Sequence, residues 1–373
     1  MTERRLKWFG FDDQVNGGRL PYKVDGAERI NFSARRVDGR PGITLEQCCA
    51  FVQRMRDIGV RAFFPTLVTM DMETLCANLK VLKSVIETRE GLHIPGLHIE
   101  ACLFQKLGQY TGAHPPQFCL NSVSVDFYRQ LQEAAGGHIK LMTVGWIPGV
   151  MSVIRAAVKD GVRVSLGHFG PIDHTDPQDV QCCIDFINNA VDAGATFATH
   201  VGNGCPTLQH RHLRPSLKLI QDPRIVPSII ADGSHLPPEY IKMVLAHKGS
   251  DVRITSDAAP EEGAELGTYS SWNEDVVVSP HQIKLDNGHI LRTRRIGPKT
   301  DPNKLAASWE TLVGCASFLV TLLRSWNFRV SPGVEITLED LAQMTCDRAL
   351  GRFGLKAADF ENLPGKTLNM NDF

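Results

Sequence analysis

Short apolar runs in this chain repeatedly end on a residue that can bind a metal ion or transfer a proton. The runs end at Glu100, His168, His200, Asp232 and Asp257. Each run is typical of a strand that is buried on both faces. A barrel of parallel strands collects the carboxyl ends of its strands at one mouth, so we expect these side chains to lie close together. Imidazoles and carboxylates grouped in this way favour metal-assisted hydrolysis.

Glu100, His168 and His200 form the candidate metal site. Two imidazoles and one carboxylate are a ligand set for zinc or iron that leaves one coordination position open. Water in that position has its pKa lowered toward ~7 and becomes a nucleophile. The alternative is that the three residues only cap strand ends.

Asp257, which ends the last apolar run, is the candidate acid and base. A carboxylate there can take a proton from bound water and pass it to a leaving amine, and the alternative is a structural cap. His235 lies just beyond Asp232 and can bind an anion, steady a carbonyl or occupy an ordinary loop. After His200, small residues allow close backbone approach, and Arg211 offers a planar fork for phosphate. These patterns favour a phosphorylated substrate.

Eight strand candidates alternate with helical patterns that carry start signals, such as the capping box at Thr44 and the Asp176-Pro177 pair. Repeated alternation predicts an α/β fold with a parallel sheet, and eight units predict closure into a (β/α)8 TIM barrel. An open doubly wound sheet is the alternative, but no glycine-rich dinucleotide loop supports it. The predicted strands are Phe9–Val15, Val60–Leu67, Ile94–Glu100, Ile139–Val144, Val162–His168, Thr196–His200, Val226–Asp232 and Val252–Asp257.

The regular alternation ends after the eighth strand. Turn residues at Asp286–Gly288 predict a hairpin, and helical patterns return at Asn303–Trp326 and Thr337–Phe353. We therefore assign residues 1–354 to one catalytic barrel domain and the largely polar residues 355–373 to a C-terminal tail.

The composition is that of a globular enzyme. The 373 residues carry 40 basic and 41 acidic side chains without a basic patch, so we expect no nucleic-acid partner. No apolar run approaches the ~20 residues of a membrane span, and the first residues lack a signal core, so we expect a cytoplasmic protein with no membrane partner. The ten cysteines include no CxxC pair and are expected to be reduced thiols. Cys102 and Cys205 lie near the candidate site, and a metal-ligand role for either stays open.

The ordered set of motifs resembles the N-acetylglucosamine-6-phosphate deacetylases, a family of the amidohydrolase superfamily. The resemblance runs from about Phe9 to Gly354, which is most of the chain. Each motif is modest alone, but all five follow the family's order and approximate spacing. They are Gly96–Glu100, Gly167-His168, Ala198–His200 followed by Asn203, Pro206 and Arg211, Ala231–His235, and Thr255–Ala258.

The resemblance implies a site with one metal ion, held by Glu100, His168 and His200. Many amidohydrolases bind a second metal through His-x-His on the first strand, where this chain has Gln14 and Asn16. One branch of the family shows the same replacement and uses one metal. We expect zinc, with iron, manganese or cobalt as alternatives.

The resemblance also implies roles for the other site residues. Asp257 would act as general base and then acid, and His114 would help to polarise the amide carbonyl. Arg211 would reach the substrate across the interface of a homodimer. The implied phosphate-binding residues are Asn203, Gly204, Arg211 and His235.

The chain departs from the family where substrate would be contacted. Ala101-Cys102 replaces a Gly-Pro pair, Val144–Trp146 lacks an acidic residue, and Ala306–Trp309 replaces a smaller turn. The family's accessory β-sandwich has almost no sequence to form it, so we expect it to be reduced or absent. This pattern predicts hydrolysis of a related but not identical substrate.

The predicted function is metal-dependent deacetylation of an N-acetyl amino-sugar 6-phosphate by attack of a metal-bound water. The substrate is N-acetylglucosamine 6-phosphate or a close relative, a small molecule of amino-sugar metabolism. Two alternatives stay open: a sister amidohydrolase acting on another amide or a cyclic amide, and a sugar-phosphate binding protein without catalysis.

Overall fold

The computed structural model of the protein describes residues 6–35, 37–173, 175–205, 215–271, 274–285, 288, 290–301 and 304–373. The strands are β1 (Lys7–Trp8), β2 (Gly10–Val15), β3 (Gly17–Val24), β4 (Ala27–Asn31), β5 (Val60–Val68), β6 (Leu97–Glu100), β7 (Ile139–Val144), β8 (Arg163–Leu166), β9 (Phe197–Ala198), β10 (Val226–Ile230), β11 (Arg253–Thr255), β12 (Gly267–Ser271), β13 (Glu274–Lys284), β14 (Ile290–Pro298), β15 (Arg329–Ser331), β16 (Val334–Glu335) and β17 (Leu368–Asn369). The helices are α1 (Leu45–Ile58), α2 (Met72–Ile86), α3 (Gly108–Thr111), α4 (Val125–Ala134), α5 (Val150–Lys159), α6 (Pro177–Asp192), α7 (Pro215–Gln221), α8 (Pro238–Lys248), α9 (Leu312–Ser325), α10 (Leu338–Met344), α11 (Asp347–Gly351) and α12 (Ala358–Glu361). Three short 3-10 helices lie at Glu90–His93, Pro116–Phe118 and Met370–Asp372.

Eight parallel strands form the central sheet, in the order β2, β5, β6, β7, β8, β9, β10, β11. They correspond one to one with the eight predicted strands, and helices lie between most of them. The predicted capping box at Thr44 is present, and Asp176 caps α6 by accepting from the backbone of Gln178 at 2.9 Å. The predicted (β/α)8 barrel is confirmed.

The barrel closes where β2 meets β11. Val15 pairs in parallel with Ala258, and the backbone N–H of Asn16 donates to the carbonyl of Ala258 at 2.9 Å. Deeper in the seam, the buried carboxylate of Asp12 accepts from the hydroxyl of Thr255 and from Ser256. Burial raises the pKa of Asp12, and these donors partly offset the rise, which leaves the pKa at about 6. A side chain thus supplies hydrogen bonds where the strands pair over few residues.

The interior of the barrel is layered. Near the amino ends of the strands, Phe353 packs edge-on against Phe11, Phe64 and Phe197, with ring centroids 4.8–5.7 Å away. The next layer is polar and hydrogen-bonded across neighbouring strands, which satisfies its buried hydroxyl and imidazole groups. Its members are Thr66, His98, Thr143, Ser165 and Thr199. The candidate site lies beyond it, at the carboxyl ends.

Outside the barrel, the described residues form only small sheets. The predicted hairpin corresponds to β13 and β14, which pair antiparallel and with β12 form a three-stranded sheet. Another hairpin, β3–β4, packs on α1, and β1 pairs with β17. No accessory sandwich is present among these residues, as expected.

Two predicted helical segments differ from the structure. Described residues from Lys304 onward run as an extended loop, with Ser308 bridging Ala258, and α9 begins only at Leu312. The segment Thr337–Phe353 is divided into α10 and α11, because the carbonyl of Thr345 turns to accept from the barrel strand β2.

Residues 355–373 pack along the barrel rather than away from it. The side chain of Met370 is fully buried, and the ring of Phe373 lies 5.5 Å from that of Trp8. Arg61 donates to the carbonyls of Glu361 and Gly365. The division into a barrel and a tail stays a prediction, and none of the described helices is long and apolar enough to cross a membrane.

Candidate metal centre and substrate pocket

The structure brings Glu100, His168 and His200 together at the carboxyl ends of their strands. The carboxylate oxygen Oε1 of Glu100 lies 3.1 Å from Nε2 of His168 and 3.0 Å from Nε2 of His200. The two imidazole nitrogens are 3.2 Å apart, and all three side chains are buried. Among the described residues this is the one group of three or more such side chains with the spacing of a metal site.

The chemistry of this donor set fits a divalent metal ion. Nδ1 of His168 lies 2.7 Å from the carbonyl oxygen of Tyr110, so Nδ1 carries the proton and Nε2 has a free lone pair. A lone pair of His168 therefore lies beside the Glu100 carboxylate and Nε2 of His200, and this group of donor atoms suits a divalent cation. Zinc ligands at about 2.0–2.2 Å in a tetrahedron are roughly 3.3 Å apart, close to the separations seen here.

The electrostatics of the three ligands agree with this assignment. Burial alone raises the pKa of Glu100, but His200 and His168 hold it well below its usual range. Burial also lowers the pKa of His200, and Glu100 more than reverses this effect. The carboxylate is therefore charged and attracts positive charge to the point where the nitrogens meet.

Backbone strain marks the same residues. His168, His200 and Asp257 have φ values of 58°, 28° and 51°, in a region that side-chain-bearing residues rarely adopt. Such conformations cost on the order of 1–3 kcal/mol each and persist where surrounding contacts enforce them. Close packing contributes here, since a Cβ on Gly204 would lie 2.6 Å from Nδ1 of His168. The three strained residues, His168, His200 and Asp257, all present side chains to the same pocket.

Asp257 lies beside the candidate metal ligands and is held by two amides. Nε2 of Gln14 donates to Oε2 of Glu100 at 2.7 Å and to Oδ1 of Asp257 at 2.8 Å. Nδ2 of Asn16 donates to the same Asp257 oxygen at 2.7 Å. The predicted replacement of a histidine pair thus puts amide donors, rather than metal ligands, between the two carboxylates. Burial, and secondly the charge of Glu100, raise the pKa of Asp257.

His114 is also in the pocket. Its ring centroid is 4.7 Å from those of Phe104 and His168, and burial lowers the pKa of His114 to about 3. The imidazole is therefore neutral. Its Nδ1 accepts a long hydrogen bond, 3.5 Å, from the backbone of Thr69, which leaves the proton on Nε2.

His235 lies on another wall of the pocket and pairs with Asp232. Nδ1 of His235 is 2.8 Å from Oδ2 of Asp232, and both side chains are almost completely buried. Ser308 donates its hydroxyl to the same carboxylate oxygen at 2.8 Å. The sequence patterns placed His235 at the mouth but gave no indication of Ser308, because that contact spans 76 residues.

The pocket is a cavity of about 850 Å³ that includes the metal ligands, Asp257, His114, Asn203, Gly204 and His235. Asn203 lies directly behind His200, whose carbonyl accepts from its side chain at 3.2 Å. Lys304 also lines the cavity. Among the described residues of the lining, it is the single lysine or arginine. Sequence reasoning missed it, because a single lysine in a loop carries no signal.

Three further sequence predictions have different outcomes. Arg211 lies outside the described residues, so its proposed role is untested. Cys205 lines the pocket and its Sγ contacts the carbonyl of Gly202, whereas Cys102 points to the carbonyl of Met70. Neither cysteine belongs to the metal-type cluster found among the described residues. None of the ten cysteines, all of which lie among the described residues, forms a disulfide.

The fold and this grouping of side chains define a (β/α)8 barrel with a candidate metal site at the carboxyl ends of its strands. No family model matches the chain. It is 27% identical over 272 residues to N-acetylglucosamine-6-phosphate deacetylase of Bos taurus, in an alignment covering 70% of this chain and 61% of that protein. It is 24% identical over 278 residues to N-acetylgalactosamine-6-phosphate deacetylase of Shewanella sp. (strain ANA-3), covering 72% and 66%.

Solved structures agree on the fold. N-acetyl-D-glucosamine-6-phosphate deacetylase of Mycobacterium smegmatis superposes with a TM-score of 0.70 at 21% identity, covering 98% of this chain and 84% of that one. The enzyme of Thermotoga maritima gives 0.67 at 18% identity, covering 98% and 88%. The predicted resemblance to N-acetylglucosamine-6-phosphate deacetylases is thus confirmed, although the alignment with the Bos taurus enzyme spans only about three fifths of that protein.

Proposed function

We propose that this protein is a metal-dependent amide hydrolase that removes the acetyl group from an N-acetyl amino-sugar 6-phosphate. One observation carries the proposal: a buried Glu100–His168–His200 cluster shares one pocket with Asp257, a carboxylate outside that cluster. A purely structural set of strand caps gives no reason for a buried carboxylate oxygen and two imidazole nitrogens to lie within 3.2 Å of one another. The substrate is inferred from the names of the relatives in sequence and in fold.

We propose zinc as the metal, held by Glu100, His168 and His200, because two imidazoles and a carboxylate are a common catalytic zinc set. A bound divalent ion would polarise the acetyl carbonyl and lower the pKa of the attacking water. The protein holds the ligands ready by fixing the tautomer of His168 through Tyr110.

Asp257 would move the proton. As general base it takes a proton from the attacking water, and as general acid it returns that proton to the amine that leaves the acetyl group. Gln14 and Asn16 both bind Oδ1 of Asp257 and so leave its other oxygen to face the reaction. Its raised pKa lets the same group accept and release a proton near neutral pH.

His114 would donate to the acetyl oxygen. A neutral imidazole with its proton on Nε2 stabilises negative charge as that charge develops on the oxygen. The packing of Phe104 against both His114 and His168 fixes the ring for this task.

The anionic end of the substrate would bind at Asn203, Gly204 and His235, with Lys304 adding positive charge to the pocket. The glycine allows the backbone to approach a phosphate closely. We propose that Arg211 joins these groups from the second subunit of a homodimer. A cytoplasmic location is proposed as well, because ten cysteines without a disulfide suit a reducing compartment.

Acetate release tests the proposal. Purified protein, stripped with chelator and reloaded with zinc, is incubated with N-acetylglucosamine 6-phosphate, its galactosamine counterpart and unphosphorylated N-acetylglucosamine. The galactosamine sugar is included because one relative carries that name. We expect metal-dependent acetate release from a phosphorylated sugar and little from the neutral one. Absence of release from every sugar after metal loading would contradict the proposal, and equal rates with and without phosphate would favour the sister-amidohydrolase alternative.

A further inference from the structure

A buried carboxylate just after β10, that of Asp232, has five polar contacts. Oδ1 of Asp232 accepts from the backbone N–H groups of Ser234 and His235, at 2.8 and 2.9 Å. Oδ2 accepts from the hydroxyls of Ser234 and Ser308 and lies against Nδ1 of His235, each at 2.8 Å. Burial alone raises the pKa of Asp232, but His235 and these donors hold it well below its usual range. The group is therefore a fixed anion.

This anion determines the state of His235. A carboxylate that already accepts from four other donors needs a proton on Nδ1 of His235, so Nδ1 is protonated and Nε2 is the nitrogen left for the pocket. Nε2 of the ring held in this way donates to an anion when it carries a second proton and accepts from a substrate hydroxyl when it does not. Without Asp232 the ring has two tautomers and can rotate.

Ser308 connects the same carboxylate to the strand end that carries Asp257. The Ser308 hydroxyl donates to Asp232, while its backbone N–H donates to the carbonyl of Asp257 at 2.8 Å. Its carbonyl then accepts from Ala259 at 2.8 Å. His235 and Asp257 are therefore connected through the side chains of Asp232 and Ser308 and through the backbone hydrogen bond from Ser308 to Asp257.

We propose that Asp232 is a positioning residue for substrate recognition: with Ser308, it fixes the tautomer and place of His235 so that the anionic group is held at a set position relative to Asp257. This inference rests on the proposed function, because it names His235 as a contact of the substrate anion. Asp232 acts only through His235 and does not touch the substrate.

A double-mutant cycle tests this proposal. Asp232→Asn, His235→Asn and the double variant are compared by KM and kcat for N-acetylglucosamine 6-phosphate and by calorimetric Kd for glucosamine 6-phosphate. We expect Asp232→Asn to raise KM and Kd about tenfold with little change in kcat, and to add nothing in the His235→Asn background. Additive effects in the double variant, or a loss confined to kcat, would show a general structural role and overturn the proposal.

Two further variants protect the test from a folding defect. Ser308→Ala removes one donor to the carboxylate and should raise KM and Kd several-fold, again only while His235 is present. Thr293→Val is the matched control, because its hydroxyl contacts the backbone carbonyl of Asp232 at 3.3 Å and not the carboxylate. It should leave KM and Kd unchanged.

The binding measurement also separates this proposal from the proposed function. If the wild-type protein binds glucosamine 6-phosphate with the expected coupling but releases no acetate, the catalytic assignment fails and the role of Asp232 stands. If acetate is released but Asp232→Asn leaves Kd and KM at wild-type values, the role of Asp232 fails alone. If the wild-type protein binds no sugar phosphate, both are overturned.

Discussion

Gln14 is the residue whose removal most sharply tests how the two carboxylates of the site are held. Its Nε2 donates to Glu100 at 2.7 Å and to Asp257 at 2.8 Å. Gln14→Leu keeps the approximate volume of the side chain and removes both donors. The metal ligands themselves are untouched.

The expected loss follows from these two bonds. A hydrogen bond to a charged group contributes roughly 1.5–3 kcal/mol, so two contribute about 3–6 kcal/mol. Glu100 retains its contacts with both imidazoles, and Asp257 retains the bond from Asn16 at 2.7 Å. We therefore expect the lower end, about 3 kcal/mol. Because both bonds exist in the free protein, this loss lowers kcat/KM only to the extent that they hold the carboxylates as the transition state needs them, which sets an upper bound on the order of 100-fold.

The pH profile gives a second result. Removing a donor destabilises the ionised form of Asp257, so its pKa rises. Since the base form is needed for attack, the acidic limb of the kcat/KM profile should move to higher pH.

The assay is acetate release at a series of pH values with zinc-loaded protein. Gln132→Leu is the control, because Gln132 makes a comparable pair of side-chain amide bonds on α4, to Tyr128 and Ile139, away from the pocket. That variant should lose stability at most. Wild-type kcat/KM and an unmoved acidic limb in Gln14→Leu would refute the reasoning.

Three other substitutions have defined outcomes. Asp257→Asn should retain the metal and the fold but lose ~10²–10⁴-fold in kcat, and near wild-type turnover would place the proton transfer elsewhere. Lys304→Met should raise KM for a phosphorylated sugar about tenfold. Lys299→Met, which removes an exposed partner of a surface ion pair, should leave KM unchanged. Equal KM values in the two variants would show that Lys304 does not bind the substrate. Gly204→Ala adds a Cβ 2.6 Å from the imidazole of His168 and should weaken metal binding at least tenfold. Gly137→Ala, at a similarly positive φ with open space around it, should lose only stability. Unchanged metal affinity in Gly204→Ala would show that the loop moves to accommodate the Cβ.

Local sequence pattern was sufficient for the barrel and for the metal-type cluster. Most of the barrel strands are short apolar runs, and parallel strands bring Glu100, His168 and His200 to one mouth whatever the loops between them do. Contacts between distant segments were not predictable in this way. Gln14 donates to Glu100 and Asp257, which lie 86 and 243 positions away in the sequence, and hydrophobic periodicity does not predict such contacts.

Loop positions were the least predictable. The helical pattern from Asn303 predicted a helix that the described residues before α9 do not form, because Ser308 pairs with Ala258 instead. Lys304 enters the pocket from that same loop. The departures noted at Ala306–Trp309 lie there as well, so a segment that lines the pocket is one with a weak local signal.

Metal content is the most direct test of the central claim. Purified protein, dialysed against zinc and then against metal-free buffer, is analysed by inductively coupled plasma mass spectrometry together with His168→Ala and His200→Ala. We predict about one divalent ion per chain in the wild type and a small fraction of that in each variant, since three ligands leave little redundancy. Full metal retention in both variants, or no bound metal in the wild type, would contradict the account.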